Sequence, residues 1–293
     1  MGLMDEKTML APPETVSGRF VLNMPEEEYH AHPALSQSGM KALLRSPRHF
    51  RAMRVMQKAR PEFDLGSATH ALVLGVGAPI VEIPGSLLSV DGGIRTKDAK
   101  GFVEEARAEG KVPLKPGVYA AVMACVESVL GNEKARRLLE REGYTEASLF
   151  AADPSTGVEL RGRLDRLTTD GIPVDLKTTT DVRVRKLTNA IVDFGYDVQA
   201  ATYDYLLRLV LGIDPAPMHF IFVEKEFPHD VRVIRLADPL WIEGGAAKMR
   251  GAIDLFAWCV EQGRWPGDDE DGGEILDLPA PRWYGADLTE VEA

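Results

Sequence analysis

Two aspartates and a lysine carry the densest chemical signal in this sequence. Asp165 closes the run Gly162-Arg163-Leu164-Asp165, and Asp175 and Lys177 follow on either side of Leu176. Alternating apolar residues predict strands over 158–167 and 172–177, and Thr169-Asp170-Gly171 between them is turn chemistry. The two strands are therefore antiparallel neighbours. Residues two apart on a strand share a face, so Asp175 and Lys177 point the same way. The turn brings Asp165 and Asp175 within reach of one ion. Two carboxylates and a backbone carbonyl suit a hard divalent cation. Such a cation polarises a phosphoryl oxygen and acidifies a bound water, and a neighbouring ammonium offsets the charge that develops. This is a compact kit for phosphodiester hydrolysis. A bare Asp-x-Lys also suits an ordinary ion pair on a strand edge; the Gly162–Asp165 run in front of it favours the site.

Two further groups strengthen that reading. Gln199 and Tyr203 are four apart in the segment Tyr196-Asp197-Val198-Gln199-Ala200-Ala201-Thr202-Tyr203, so they share one helix face and offer donors for phosphate oxygens. The alternative is a plain helix with a tyrosine at its rim. His70 follows Gly66 by one turn in an otherwise apolar helix. It suits either a nitrogen ligand to the same ion or a satisfied interior histidine.

The elements that must position these groups follow from the pattern. Residues 1–34, with Pro12, Pro13, Pro25 and Pro33, read as an irregular arm. A helix opens at Leu35-Ser36-Gln37-Ser38 with Ser36 or Ser38 as its cap, and Ser46-Pro47 restarts it to about residue 59. Helices are predicted over 63–74, 97–109 and 115–141, with a short strand over 80–83. Strands over 146–151, 158–167 and 172–177 form a meander; a helix over 196–211, a hairpin of 218–223 and 231–236, and a helix over 239–262 complete the chain. The expectation is one α/β (α+β) domain over 35–266, a central mixed sheet flanked by helices, followed by an acidic tail over 267–293.

Composition narrows the function classes. The chain has 293 residues, 45% of them hydrophobic, and two cysteines, Cys125 and Cys259. Two cysteines make neither a disulfide framework nor a four-thiolate metal or iron–sulfur site. With no signal-peptide pattern and no apolar run long enough to span a bilayer, a reduced cytoplasmic setting is expected. The net charge of −11 is concentrated at one end: from Asp268 onward stand nine acids and one base, Arg282. Between Tyr29 and Pro61, by contrast, Lys41, Arg45, Arg48, Arg51, Arg54, Lys58 and Arg60 stand with no acid among them. That stretch reads either as a solvated helix face or as a footprint for a polyanion, whose affinity follows the local field rather than the chain total.

The ordered set Leu35-Ser36-Gln37-Ser38, Ser46-Pro47-Arg48-His49-Phe50, Gly66…His70, Glu146, Gly162-Arg163-Leu164-Asp165, Asp175-Leu176-Lys177 and Gln199…Tyr203 resembles the PD-(D/E)XK nuclease superfamily. Within it the chain looks closest to the RecB/RecE-type phage exonucleases with domains like the C-terminal part of exonuclease VIII. The resemblance implies a restriction-endonuclease-like core and hydrolysis of DNA with Mg²⁺ or Mn²⁺. It implies that His70, Asp165, Asp175 and the Leu176 carbonyl hold the metal, and that Lys177 acts on the attacking water. Glu146 would support a second metal or orient water, and Gln199 and Tyr203 would hold the DNA backbone. Arg163, Arg45, Arg48 and Arg51 are added as DNA contacts. A linear duplex, a single-strand annealing protein and a ring of identical subunits are the partners it suggests. A non-catalytic DNA-binding module and an endonuclease of the same fold are the competing readings.

Overall fold

The computed structural model describes residues 10–56, 65–268, 275 and 277–280. Lys58, Arg60 and most of the acidic tail lie outside them. In chain order the elements are β1 Arg19–Val21, α1 Glu26–Ala31, β2 Leu35–Ser36, α2 Gln37–Arg45, α3 Pro47–Met56 and α4 Leu65–Leu74. Next come β3 Ile80–Glu82, α5 Lys97–Ala108, β4 Val112–Leu114, α6 Pro116–Gly131 and α7 Glu133–Leu139. The second half holds β5 Gly143–Ala152, β6 Glu159–Thr168, β7 Pro173–Thr179, α8 Val184–Asp193, α9 Tyr196–Leu211, β8 His219–Glu224, β9 Val231–Arg235 and α10 Pro239–Gln262.

The main sheet runs β1-β5-β6-β7-β8-β9. Neighbouring strands are antiparallel except β7 and β8, which run parallel and are joined through α8 and α9. Strand β8 alternates Phe220 and Phe222 on one face with Ile221 and Val223 on the other, all four buried. A strand apolar on both faces needs a layer of helix on each. One layer supplies α2, α9 and α10, packed on Leu160, Leu164, Phe220 and Phe222. The other supplies α4, α6 and α7, packed on Val174, Leu176, Ile221 and Val223. The result is the mixed sheet flanked by helices that the sequence pattern implies. No helix among the described residues is long and apolar enough to cross a membrane.

The free edge of β6 is divided between two strands. The short β2 pairs parallel with Leu160 and Arg161, and β7 pairs antiparallel with Arg166 and Leu167. Between those two pairings lie Gly162 to Asp165. The chain therefore forks there, and Asp165 stands at the fork.

Two expectations are corrected, and two elements were not foreseen. The segment before Leu35 is not an irregular arm: β1 pairs with Ser148 to Phe150 of β5, and α1 buries Tyr29. The helix expected over 115–141 is broken at Asn132, whose side chain accepts from the N–H groups of Lys134 and Ala135 and so caps α7 as a separate helix. Helix α8 was not foreseen, although Val184, Leu187 and Ile191 have helical spacing. Nor was β4, which pairs parallel with β3 in a separate small sheet.

Candidate active site

Asp165 and Asp175 occupy the rung at which the β6–β7 ladder stops. The last registered pairs are Leu167 with Pro173 and Arg166 with Val174. In place of the next rung, the Leu176 N–H donates to Asp165 Oδ2 at 2.8 Å. A side chain has taken the position of a backbone acceptor, so the strands part and a half-buried carboxylate is held at the opening.

Groups from both helical layers meet at this opening. From α4, His70 Nε2 lies 2.9 Å from Asp165 Oδ1, and its Nδ1 lies 4.0 Å from Glu146 Oε1. From α9, Gln199 Nε2 donates to Asp175 Oδ1 at 2.6 Å, and Lys177 Nζ is 2.6 Å from Asp175 Oδ2. Asp175 and Gln199 are both almost wholly buried.

Glu146 comes from β5. Its neighbours Thr145 and Ala147 pair with Arg166 and Leu164, so Glu146 falls across from Asp165. Its φ of 48° is left-handed, a conformation that costs a residue with a Cβ about 1–2 kcal/mol and interrupts the regular strand. Arg163 reaches it at 3.9 Å while donating from Nε to Ser148 Oγ and from Nη2 to the Met24 carbonyl. The Arg161 and Arg163 guanidinium groups both lie over the Tyr29 ring, at 4.7 and 4.2 Å from its centre.

The electrostatics follow from burial and pairing. Burial disfavours the charge on His70, but Asp165, with Glu146 and Asp175 behind it, raises its pKa to about 9. Burial also works against ionisation of Asp165, yet the His70 and Lys177 charges hold its pKa below the usual carboxylate range. Asp175 goes the other way: burial and the nearby Asp165 charge push it up despite Lys177. Lys177 is raised because Asp175 and Asp165 outweigh its burial. Two carboxylates pushed apart in acidity, each with its own cation, are the arrangement from which acid–base roles arise.

The structure places the remaining expected residues as follows. Tyr203 is buried and donates its hydroxyl to the Arg163 carbonyl at 2.6 Å, so Gln199 and Tyr203 both point at groups of the site's own frame. Leu176 is buried between the two charged residues of β7. Arg45, Arg48 and Arg51 are exposed on α2 and α3, and Arg51 lines an open cleft of ≈ 430 Å³ with Phe50, Arg54, Val55 and Trp265.

Sequence reasoning missed Lys41 and Tyr196. The Tyr196 ring lies 5.3 Å from Lys177 Nζ and 5.4 Å from Lys41 Nζ. Burial, with Lys177 close by, lowers the Lys41 pKa to about 8. The signal for Tyr196 was its place just after Gly195, at the start of the helix carrying Gln199.

Among the described residues no three His, Cys, Asp or Glu side chains stand as a ready metal cage. Their donors are engaged elsewhere: Asp165 by His70 and Leu176, Asp175 by Lys177 and Gln199. The donor set nonetheless fits a hard cation, since it combines carboxylate oxygens with one imidazole.

Comparison with known proteins bears on the family and the fold. The family described as "PDDEXK-like domain of unknown function (DUF3799)" matches residues 36–274. No curated protein matches the chain. The crystal structure of an Eubacterium rectale protein described as a "putative exonuclease" superposes with a TM-score of 0.55 at 15% identity, covering 92% of this chain and 99% of that one. A second structure, of the protein SSO0001, gives a TM-score of 0.36 at 14% identity over 78% of this chain and 81% of that one.

Proposed function

Since this chain belongs to the family of PDDEXK-like domains, we propose that it is a divalent-metal-dependent deoxyribonuclease, an exonuclease resecting linear duplex DNA in phage or prophage recombination. The observation that carries this reading is the meeting of Asp165, Asp175 and Lys177, with His70 and Glu146, at the fork of β6. The exonuclease description of the E. rectale protein supports it.

His70, Asp165, Asp175 and the Leu176 carbonyl would hold Mg²⁺ or Mn²⁺, with Glu146 beside them. The ion, when bound, supplies positive charge for the phosphoryl oxygens and acidifies a water. The chain's own groups do the rest. Lys177 keeps an ammonium beside Asp175, where it would orient a water and balance charge. Gln199 fixes one oxygen of Asp175 and leaves the other for Lys177. Arg163 braces Glu146 from Ser148 and Met24. A single-strand annealing protein and a ring of like subunits are the partners we propose for it.

End-labelled linear DNA and covalently closed circles are incubated with Mg²⁺, Mn²⁺ or chelator. Loss of the linear duplex with metal, with circles intact, is expected. Nicked circles would make the protein an endonuclease, and binding without cleavage in either metal would overturn the enzyme altogether.

A further inference from the structure

We propose that the turn between α8 and α9 is the seat of an unpaired nucleobase, stacked on Phe194, with Lys41 holding the adjacent phosphate. This deepens the nuclease reading and rests on it: the strand presented to Lys177 is single at the point of cleavage.

Phe194 closes α8 and is 60% exposed as a residue, so core packing does not account for it. The ring lies 5.8 Å from that of Tyr196, tilted by 35°. Tyr196 in turn lies under both Lys177 and Lys41. A continuous path thus leads from an exposed aromatic face to the lysine of the site. Lys41 is held in place by the backbone: a Cβ on Gly195, whose φ is +60°, would stand 3.1–3.5 Å from its Cδ, Cγ and Cε. The missing side chain at Gly195 is the slot for the Lys41 stem. On α8 itself Val184 and Val192 are exposed, as are Arg185 and Lys186.

An exposed aromatic face with two ammonium groups one ring away is the chemistry of single-strand recognition, in which a ring takes the base and cations follow the backbone. Inside a duplex both faces of a base are covered by its neighbours, and the terminal pair of a blunt end bares only one. Stacking on Phe194 is therefore open to a base that has left the stack and closed to the interior of a duplex, and the blunt duplex probe measures what the terminal pair contributes.

The test measures binding in chelator, where nothing is cut. The probes are a labelled single strand of about ten nucleotides, the same backbone without bases, and a blunt duplex. Wild-type protein should bind the strand with bases about fivefold or more tightly than the abasic one, since stacking contributes about 1–3 kcal/mol per base. Phe194→Ala should erase that preference and Phe194→Trp should keep it, with unchanged melting curves. Lys41→Met should weaken both single strands alike and reduce the slope of log K against log salt by about 0.7, one phosphate's share. Equal affinity of the wild type for the two strands, or a preference that survives Phe194→Ala, overturns the inference. Should metal-dependent cleavage persist in that case, the nuclease reading stands alone. DNA neither bound nor cut removes both.

Discussion

The carboxylate of Asp165 accepts the main-chain N–H of Leu176 at 2.8 Å, on the strand that carries Asp175 and Lys177. This single bond replaces a rung of the sheet and orients a charged group with backbone rigidity. It also ties the two strands whose parting makes room for chemistry.

Asp175→Ala and Lys177→Ala should each lower cleavage of linear duplex by at least about 10²-fold, as loss of a positioned charge does elsewhere. Binding to the same DNA, measured in chelator, should change far less. The pair is read from digestion of an end-labelled duplex alongside anisotropy. Near wild-type digestion by either variant refutes the site.

Replacing Arg45, Arg48 and Arg51 together by Gln should weaken DNA binding and flatten its salt dependence. Each lost phosphate contact lowers the slope of log K against log salt by about 0.9 on duplex DNA. A titration series from low to moderate salt measures it. An unaltered slope returns these residues to an ordinary solvated helix face.

Gly162 is a close-approach position. A Cβ there would lie 2.8 Å from Leu206 Cδ1 and 2.9 Å from Tyr203 Cε1. Gly162→Ala should therefore displace the Tyr203 ring and strain its bond to the Arg163 carbonyl, at a cost of about 1–3 kcal/mol. Denaturant unfolding measures the loss. Full stability in this variant would show that α9 can shift away from β6 at no expense.

Acid should unfold the protein partly through Asp153, in the connection between β5 and β6. Its buried carboxylate accepts from Arg250 at 2.8 and 3.1 Å, from the Tyr205 hydroxyl at 2.6 Å and from Thr156. Burial opposes its ionisation, but these donors win and hold its pKa well below the usual range. A depressed folded pKa contributes stability above the unfolded value of about 3.9, and that contribution fades as pH falls toward the folded value. Asp153→Asn should cost about 3 kcal/mol at neutral pH and shrink that cost below about pH 4. Melting temperatures across an acid series show whether the two curves converge.

The meander of β5, β6 and β7 was legible because strand periodicity and the Thr169–Gly171 turn are local signals. The same locality made Asp165 and Asp175 readable as neighbours. What held them was not legible. Glu146 is turned by a left-handed backbone that nothing in its residue type announces. Tyr29, Lys41 and Tyr196 reach the site from three separate segments, and such convergence leaves no spacing to read. Helix α8 had its apolar spacing in plain view, but Arg183 gives it no side-chain cap. Asn132 hid a helix break inside a long apolar run, since a capping residue resembles any other polar residue until its partners are seen.

The three-residue β1 has a consequence out of proportion to its size. It shields Ser148 to Phe150 on the outer edge of β5, and the helix after it carries the Tyr29 ring, over which Arg161 and Arg163 both lie. A recombinant fragment trimmed to begin where the family match begins, at residue 36, would bare that edge and take the ring away from two neighbouring guanidinium groups. Such a fragment would clump with copies of itself, and its inactivity would say nothing about the aspartates.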